Sequence, residues 1–277
     1  MTPAEMLLSK RLVSSGLSSA EAEQVCAALR ERAFFSARIE SVRFLQDARK
    51  ADADYLAHAE KEDGTMATRA DAISAIMRRA REEGISTGTG GVTDPGSAAR
   101  AKVVADTNAA MAAGYCRRRA MGTRGARLAF PGLRLVRLED RDKKRDWMSR
   151  WNIARQSLGA ASSATMAASQ EGPFVALKED PIWSAISRFG TPYPPFDFNS
   201  GMGVRGVSFE ECKSLGLVTD DYDPRGDIDD GFNRRMEAEL EFKGDDDPEW
   251  KWLKKAYGDQ ITREGGKITW SPEDGRP

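Results

Sequence analysis

The spacing of apolar residues divides the chain into a helical first part and a mixed second part. Up to about residue 125, apolar positions recur mostly every three to five residues, which is typical of amphipathic helices. We predict a first helix from Pro3 to Ser15, closed by Gly16. A second apolar series runs from the capping residue Ser18 to Asp63 without Gly or Pro, and it predicts one long helix or two helices with a small break.

Two further helices complete the first part. One begins at Thr68 or Asp71 and stops at Gly84, and the other covers residues 97–121 and ends before Gly122.

The segment between these helices, GTGGVTDPG (Gly88 to Gly96), is rich in glycine and predicts a loop. It lacks the GK[ST] ending of a phosphate-binding loop, and a helix precedes it rather than a strand. We therefore interpret it as a flexible connector.

The second part alternates apolar and polar residues. This pattern predicts strands at Leu133 to Leu138 and at Phe174 to Lys178. A short amphipathic helix containing Trp147 and Trp151 is predicted between them. The fold class predicted is α+β, predominantly α.

Three consecutive domains follow from these patterns: a helical domain over residues 1–125, a small α+β domain over 126–218, and an acidic C-terminal extension over 219–277. The extension has 17 acidic residues against 10 basic ones. We predict two short helices in it and then a hairpin turning at Gly265 and Gly266.

Composition excludes few classes of protein. The net charge of −1 gives no general attraction to nucleic acid or membranes. No apolar run approaches the roughly 20 residues that a membrane-spanning helix needs, so we expect no membrane partner. Three widely spaced cysteines indicate buried thiols rather than a disulfide framework.

Positive charge is concentrated in the middle of the chain. From Ile85 to Arg134, eight basic residues accompany two acidic ones, a local balance of +6. Such a segment can contact DNA phosphates or an acidic protein face, or it can form a solvated or internally paired helix end. The candidate contact residues are Arg117, Arg118, Arg119, Arg124 and Arg127.

Acidic residues provide weaker candidates for chemistry. Carboxylates cluster after the two predicted strands, but nothing in the sequence indicates that they converge for acid–base catalysis; these are Glu139, Asp140, Asp142, Glu179 and Asp180. The run Asp220 to Gly231 lacks the spacing of a calcium loop, which favours solvated surface. The one histidine, His58, lies at a predicted helix end. We predict no catalytic residue, no metal and no cofactor.

The stretch YPPFDFNSGMGV, Tyr193 to Val204, combines prolines, aromatic residues and glycines. Prolines fix the backbone and remove amide donors, so the pattern predicts a stiff, packed structural loop or a partner-docking edge with buried aromatic side chains. The residues of this motif loop are Tyr193, Pro194, Pro195, Phe196, Phe198, Asn199 and Gly201.

Two stretches resemble one family. DTNAAMAAGYCRRRAM (Asp106 to Met121) is similar to a helix of the phage Mu F-like minor head proteins, also called phage head morphogenesis proteins. The stretch VALKEDPIWSAISRFGTPYPPFDFNSGMGVRGVSFEEC resembles their C-terminal hallmark. The resemblance covers about Arg100 to Val218. Many members end the hallmark with a histidine and a Cys-x-Cys pair, whereas this chain has Asn199 to Val204 there and an isolated Cys212, so no zinc site is expected.

The resemblance implies a minor head protein of a tailed phage or prophage, acting in head morphogenesis and in DNA packaging or delivery. It would bind the portal protein or the procapsid interior, with scaffold protein, major capsid protein or double-stranded DNA as further partners. Its location would be the virion, and the host cytoplasm during assembly. Two alternatives stay open: an enzyme or toxin-type effector carried by a Mu F-like domain, and a DNA-binding accessory factor.

Overall fold

The computed structural model describes residues 1–25, 27–141, 144–228, 236–239 and 244–271, with 236–239 described by their backbone alone. About 46% of the chain is helix and 13% is strand, which is compatible with the α+β class. The contacts form two compact units: unit 1 comprises Met1–Ala112 with Gly231–Pro277, and unit 2 comprises Ala113–Asp230. This grouping differs from three consecutive domains.

Unit 1 begins with a series of helices and one pair of very short strands. The strands pair in parallel, with Leu12 opposite Phe34. The hydroxyl of Thr68 accepts from the Asp71 amide and the Asp71 carboxylate accepts from the Thr68 amide, so Thr68 caps the predicted helix. The elements are α1 Pro3–Ser9, β1 Arg11–Leu12, α2 Ser19–Gln24, α3 Ala27–Glu31, β2 Ala33–Phe34, α4 Val42–Ala57, α5 Arg69–Glu82 and α6 Ala98–Met121, of which α6 belongs to unit 1 up to Ala112 and to unit 2 from Ala113.

Two helix predictions in this region were wrong. The first helix ends at Ser9, and the apolar series after Ser18 forms α2, α3, β2 and α4 instead of one or two helices. Strand pairing with β1 takes Phe34 out of the helical pattern, and Phe34 is fully buried. Ser41 then starts α4 by accepting a hydrogen bond from the Phe44 amide. Tertiary burial overrides the local spacing at these positions.

Unit 2 is a three-stranded antiparallel sheet in the order β4-β3-β5, with helices against it. Leu133 and Leu135 of the central strand pack into a core that contains Trp147, Trp151 and Trp183. Val175, Val207 and Cys212 form a second buried cluster. The elements are α7 Arg124–Ala129, β3 Gly132–Arg137, α8 Trp147–Leu158, β4 Val175–Leu177, α9 Ile182–Ala185, β5 Met202–Val207 and α10 Phe209–Ser214.

The sequence predicted β3, β4 and α8 but not β5. Glycines weaken the strand signal of β5, and one of them has a packing reason. A Cβ at Gly203 would lie 2.2 Å from Cδ1 of Leu138, so a larger residue there would require the exposed Leu138 side chain to move. The missed strand supplies the edge of the sheet directly after the motif loop.

The C-terminal segment belongs to unit 1. It contains β6 Met236–Glu239, α11 Pro248–Tyr257, β7 Ile261–Glu264 and β8 Lys267–Trp270, with sheet order β6-β8-β7. The predicted hairpin is confirmed, because Glu264 pairs with Lys267 around a two-glycine turn. Of the two predicted helices, one is present as α11, and a strand forms at 236–239; residues 229–235 and 240–243 of the segment lie outside the described residues.

Aromatic side chains of this segment complete the core of unit 1. Trp252, Tyr257 and Trp270 pack with Val25 and Leu29 in one buried cluster. The hydroxyl of Tyr257 donates to the carbonyl oxygen of Leu29. No local pattern in the sequence indicated this association, because the partners are more than 200 residues apart.

Candidate partner-binding site

Two stretches identified in the sequence analysis, the C-terminal end of α6 and the motif loop, pack against each other in unit 2. Gly114 of α6 lies so close to the motif loop that a Cβ there would be 1.9 Å from the Pro194 carbonyl oxygen. The rings of the next residue, Tyr115, and of Tyr193 meet edge to face with centroids 6.0 Å apart. The close approach therefore requires glycine at 114 and fixes the loop on the end of α6.

The motif loop is anchored by its aromatic residues. Tyr193 and Phe196 are buried, which confirms the expected burial for these two, and Phe196 stacks on Trp183 with ring centroids 6.0 Å apart. Phe198 is only half-buried, and its ring meets Phe189 edge to face at 4.8 Å. The Pro194–Pro195 peptide bond is cis.

The loop ends in a backbone turn that requires glycine. Asn199 has φ 50° and is exposed, and Gly201 has φ 66°. A Cβ at Gly201 would lie 2.3 Å from the Glu139 carbonyl oxygen. The Gly201 carbonyl accepts from the amides of Leu138 and Glu139 at 2.8 and 3.1 Å. These contacts join the loop to the end of β3.

Two of the candidate arginines are used inside unit 2. Arg118 donates to the carbonyl oxygens of Lys178 and Pro192, each at 3.3 Å. Arg127 is buried; it pairs with Glu179 at 3.0 Å and donates to the Gly226 carbonyl at 2.9 Å. For Arg118 and Arg127 the internally paired alternative is therefore correct, since their guanidinium groups bind backbone and side-chain oxygens of the same unit.

The other three candidate arginines face solvent. Arg117 and Arg119 are exposed near the C-terminal end of α6. Arg124 is half exposed and pairs with Asp223 at 2.8 Å. Arg117 and Arg119 form no ion pair within the described part of the chain, so a partner that approaches this end of α6 would meet them without breaking one.

A cleft lies between the end of α6 and the motif loop. Arg117, Arg118, Lys178, Tyr193 and Pro194 are among its lining residues. Its enclosed space is about 20 Å³, which suits one or two water molecules and is far below the size of a metabolite site. This cleft is a packing seam rather than a small-molecule pocket.

Sequence analysis did not identify Lys178 as a site residue, because its contacts depend on where α6 and α7 end in the fold. Its Nζ donates to the carbonyl oxygens of Met121 and Ala126 at 2.7 and 2.9 Å. Burial lowers the pKa of Lys178 to about 8, and the positive charge of Arg127 acts in the same direction. The ammonium group satisfies carbonyls at the ends of α6 and α7, as basic groups commonly do at helix C-termini.

Three arginines converge on one carboxylate within the motif loop. Asp197 is 8% exposed, and its Oδ2 lies 3.2 Å from Nε of Arg145 and 3.0 Å from Nη1 of Arg150. Nη1 of Arg188 lies 3.8 Å from Oδ1. We call these three residues the arginine triad. No sequence motif indicated the arginine triad, because Arg188 is distant in sequence from Arg145 and Arg150.

The glycine-rich loop of unit 1 is organised around Asp94. Its buried carboxylate accepts from the Ser86 hydroxyl and from the amides of Thr87, Gly90 and Gly96 at 2.9 to 3.1 Å. Burial raises the pKa of Asp94, but these hydrogen bonds outweigh burial and lower it to about 2. Amide groups that could cradle a phosphate are thus occupied by the chain's own carboxylate.

The paired carboxylates do not form a catalytic cluster in the described residues. Glu139 pairs with Arg141, and Asp140 pairs with Lys144. Asp180 accepts from the Ser162 hydroxyl and the Ser163 amide at 2.7 and 2.8 Å. Asp142 lies outside the described residues.

The remaining polar candidates are surface features. His58 is the exposed C-cap residue of α4, as predicted. In the acidic run, Asp220 pairs with Lys213, and Asp227 accepts from the Arg124 amide at 2.6 Å. Residues 229–231 of that run lie outside the described residues.

No protein-family model, curated protein or solved structure matches the chain. Within the described ranges, no group of three or more His, Cys, Asp and Glu side chains is placed to hold a metal ion. In the same part of the chain, no helix combines the length and apolar character that crossing a membrane demands.

Proposed function

We propose that the protein is a minor head protein of a tailed phage or prophage, which acts in head morphogenesis and DNA packaging or delivery by binding the portal protein or the procapsid interior. One observation supports this most. Gly114 and Tyr115 of the first stretch that resembles the Mu F-like family lie about 80 positions before Tyr193 and Pro194 of the second, yet the two pairs pack directly on each other. Such mutual packing is expected if both stretches are hallmarks of one domain.

The exposed end of α6 is the surface we assign to partner binding. Arg117 and Arg119 present two positive charges on a helix that the motif loop holds in place. A helix that is already held in place loses little backbone entropy on binding, and arginine side chains pair well with carboxylates. We therefore propose an acidic face of the portal as the contact.

The alternative of an effector in the C-terminal extension is less well supported. Trp252, Tyr257 and Trp270 of this extension are committed to the core of unit 1. A segment whose aromatic residues complete another core has little apolar surface left for a domain of its own. We propose a non-enzymatic role and leave DNA binding as the second candidate, because exposed arginines also suit phosphates.

Co-expression with the portal protein of the same phage tests the proposal. Affinity purification should recover a complex, and electron microscopy of procapsids should show the protein near the portal. Failure to associate with portal or procapsid would contradict the proposed function.

The charge reversal Arg117→Glu with Arg119→Glu should reduce portal recovery at least tenfold, because each substitution replaces attraction by repulsion. Arg205→Glu with Arg225→Glu is the matched control, since both are exposed arginines of the same unit. An equal loss in the control would show that general charge, and not this end of α6, determines binding. Arg118→Glu is unsuitable because it would break internal hydrogen bonds.

A further inference from the structure

We propose that the outer edge of β5 is a docking site for an extended segment of a partner protein, which adds a fourth strand to the three-stranded sheet of unit 2. The site is distinct from Arg117 and Arg119 at the end of α6, and it does not depend on the portal assignment. In this mode of recognition, the backbone donors and acceptors along an edge strand pair with the backbone of another chain.

Alternate residues of β5 direct their backbone N–H and C=O groups towards β3 and away from it. The Leu138 amide at the end of β3 donates to the Gly201 carbonyl at 2.8 Å, so the odd-numbered residues face β3 in the register of this strand pair. The even-numbered residues of β5 present their backbone groups at the outer edge; they are Met202, Val204 and Gly206.

Two of these outward residues lack a backbone partner. In the described part of the chain, no donor or acceptor pairs with the outward backbone groups of Val204 or Gly206. The Met202 amide, by contrast, donates to the Ser200 hydroxyl at 3.3 Å. Val204 places its side chain in the core, whereas Gly206 is exposed. The outer edge is therefore most accessible at Gly206.

The other edge of the same sheet is closed by the chain itself. The Val175 amide of β4 donates to the Thr165 hydroxyl at 3.0 Å, and the Val175 carbonyl accepts from the Thr165 amide at 2.8 Å. The Leu177 carbonyl accepts from Nε1 of Trp183 at 2.8 Å and from the Asp180 amide at 3.1 Å. Among the described residues, the chain thus satisfies the outward groups of β4 and leaves those of β5 open.

Two exposed apolar side chains flank the open edge. Phe130 is 49% exposed and Leu138 is 51% exposed. A Cβ at Gly206 would lie 3.5 Å from Phe130, and the space beside Gly203 is filled by Leu138. Gly203 and Gly206 are three positions apart, so the two apolar side chains lie on opposite faces of the sheet. An incoming strand covers both only if it carries apolar residues on each face, which identifies the partner segment as an apolar, β-branched run.

A second copy of the chain fits this edge less well. Antiparallel self-pairing about Val204 places the two Arg205 side chains on one face of the sheet, about 8 Å apart along a diagonal. Like charges at that distance repel, and β5 has no acidic side chain to offset them. The edge therefore favours a strand from another protein.

Fluorescence anisotropy of a labelled peptide tests the site in the full chain. The probe is a blocked peptide of about seven residues with a central Val-Ile-Val run between serines. It should bind the wild type with a dissociation constant below about 0.2 mM. The same peptide with its central amides N-methylated keeps the side chains and loses the donors, so it should bind at least about tenfold more weakly.

Substitutions at Gly206 separate the backbone of β5 from its side chains. Gly206→Pro removes the outward N–H without removing a hydrogen bond to β3, and it should weaken peptide binding at least about tenfold. Gly206→Ala is the matched control, because it keeps the N–H and its Cβ would be in ordinary contact with Phe130; affinity should change by less than about twofold. If Gly206→Pro does not fold, the N-methylated peptide against the wild type decides the same question.

Hydrogen exchange of backbone amides locates the bound peptide. The amides of Val204 and Gly206 should exchange at least about tenfold more slowly with the peptide bound, while those of Gly203 and Arg205, which face β3, should change little. The proposal is overturned if the wild type does not bind the peptide, if N-methylation leaves the affinity unchanged, or if Gly206→Pro binds as tightly as Gly206→Ala. A wild-type dimer in sedimentation that dissociates in Gly206→Pro would overturn the choice of partner, because a second copy would then occupy the edge.

Discussion

Asp52 lies in the core of unit 1 without a hydrogen-bond partner, and its replacement by asparagine should stabilise the protein at neutral pH. The residue is fully buried on α4, and neither carboxylate oxygen has a partner among the described residues. Burial raises the pKa of Asp52, the negative charge of Asp106 acts in the same direction, and together they bring it to about 8. Asp106 itself pairs with Arg69.

The sign of the effect follows from proton binding. The ordinary pKa of an aspartate is 3.8, so between about pH 4 and pH 8 the folded state holds a proton that the unfolded state has released. The contribution of Asp52 to the free energy of unfolding is therefore largest below pH 4 and falls as the pH rises towards 8. About three pH units separate pH 4 from pH 7, at about 1.4 kcal/mol each, which gives an upper limit of about 4 kcal/mol. Local relaxation and water entry reduce it, so we expect about 2–4 kcal/mol.

Urea unfolding from pH 4.5 to 7.5 measures this difference. Asp52→Asn cannot release a proton, so it should be more stable than the wild type by about 2–4 kcal/mol at pH 7.5 and nearly equal to it at pH 4.5. Asp54→Asn is the control on the same helix, because Asp54 is partly exposed and pairs with Lys50 at 2.6 Å. A stability difference that is the same at both pH values would refute the reasoning.

Three other substitutions test features of the fold. Gly114→Ala should destabilise unit 2 by about 1–3 kcal/mol, because its Cβ would meet a loop carbonyl at 1.9 Å. Gly125→Ala in α7 has open space around the new Cβ and should be neutral or stabilising. Thermal unfolding of the two variants compares these effects. Asp94→Ala should be less stable than the wild type above about pH 4, where the Asp94 carboxylate of the wild type is charged, and should match the wild type near pH 2. Unfolding measured along an acid titration checks this. Trp252→Ala should cost about 3–5 kcal/mol from a buried core position, and exposed Lys255→Ala should cost little in the same denaturation assay.

Local signals predicted the features of the fold that depend on neighbouring residues. Helix starts were predicted at Ser18 and at Thr68 or Asp71, where a hydroxyl and an acid three residues later act within one turn. The turn at Gly265 was predicted for the same reason, since its positive φ of 60° follows from the residue type. Burial of Tyr193 and Phe196 followed from the stiffness of a proline-rich loop.

Features that depend on distant contacts were not predictable. The predicted site combined Arg118 with Arg117, but only packing decides that Arg118 points inward to backbone carbonyls while Arg117 stays exposed. Asp197 gathers Arg145 and Arg150 across about 50 residues, and no spacing rule connects them. Sequence patterns report the neighbours of a residue along the chain, whereas such sites depend on neighbours across the fold.

The hydrogen bond between Tyr257 and Leu29 has a consequence for biosynthesis. The two residues are 228 positions apart, so the apolar surface around Leu29 stays uncovered until the ribosome has made the last aromatic partner, Trp270. Unit 2 is complete at residue 230 and can fold earlier. At roughly 5–20 residues per second, the remaining segment takes about 2–8 s to synthesise. During those seconds the nascent chain exposes an unfinished core, a natural substrate for ribosome-associated chaperones.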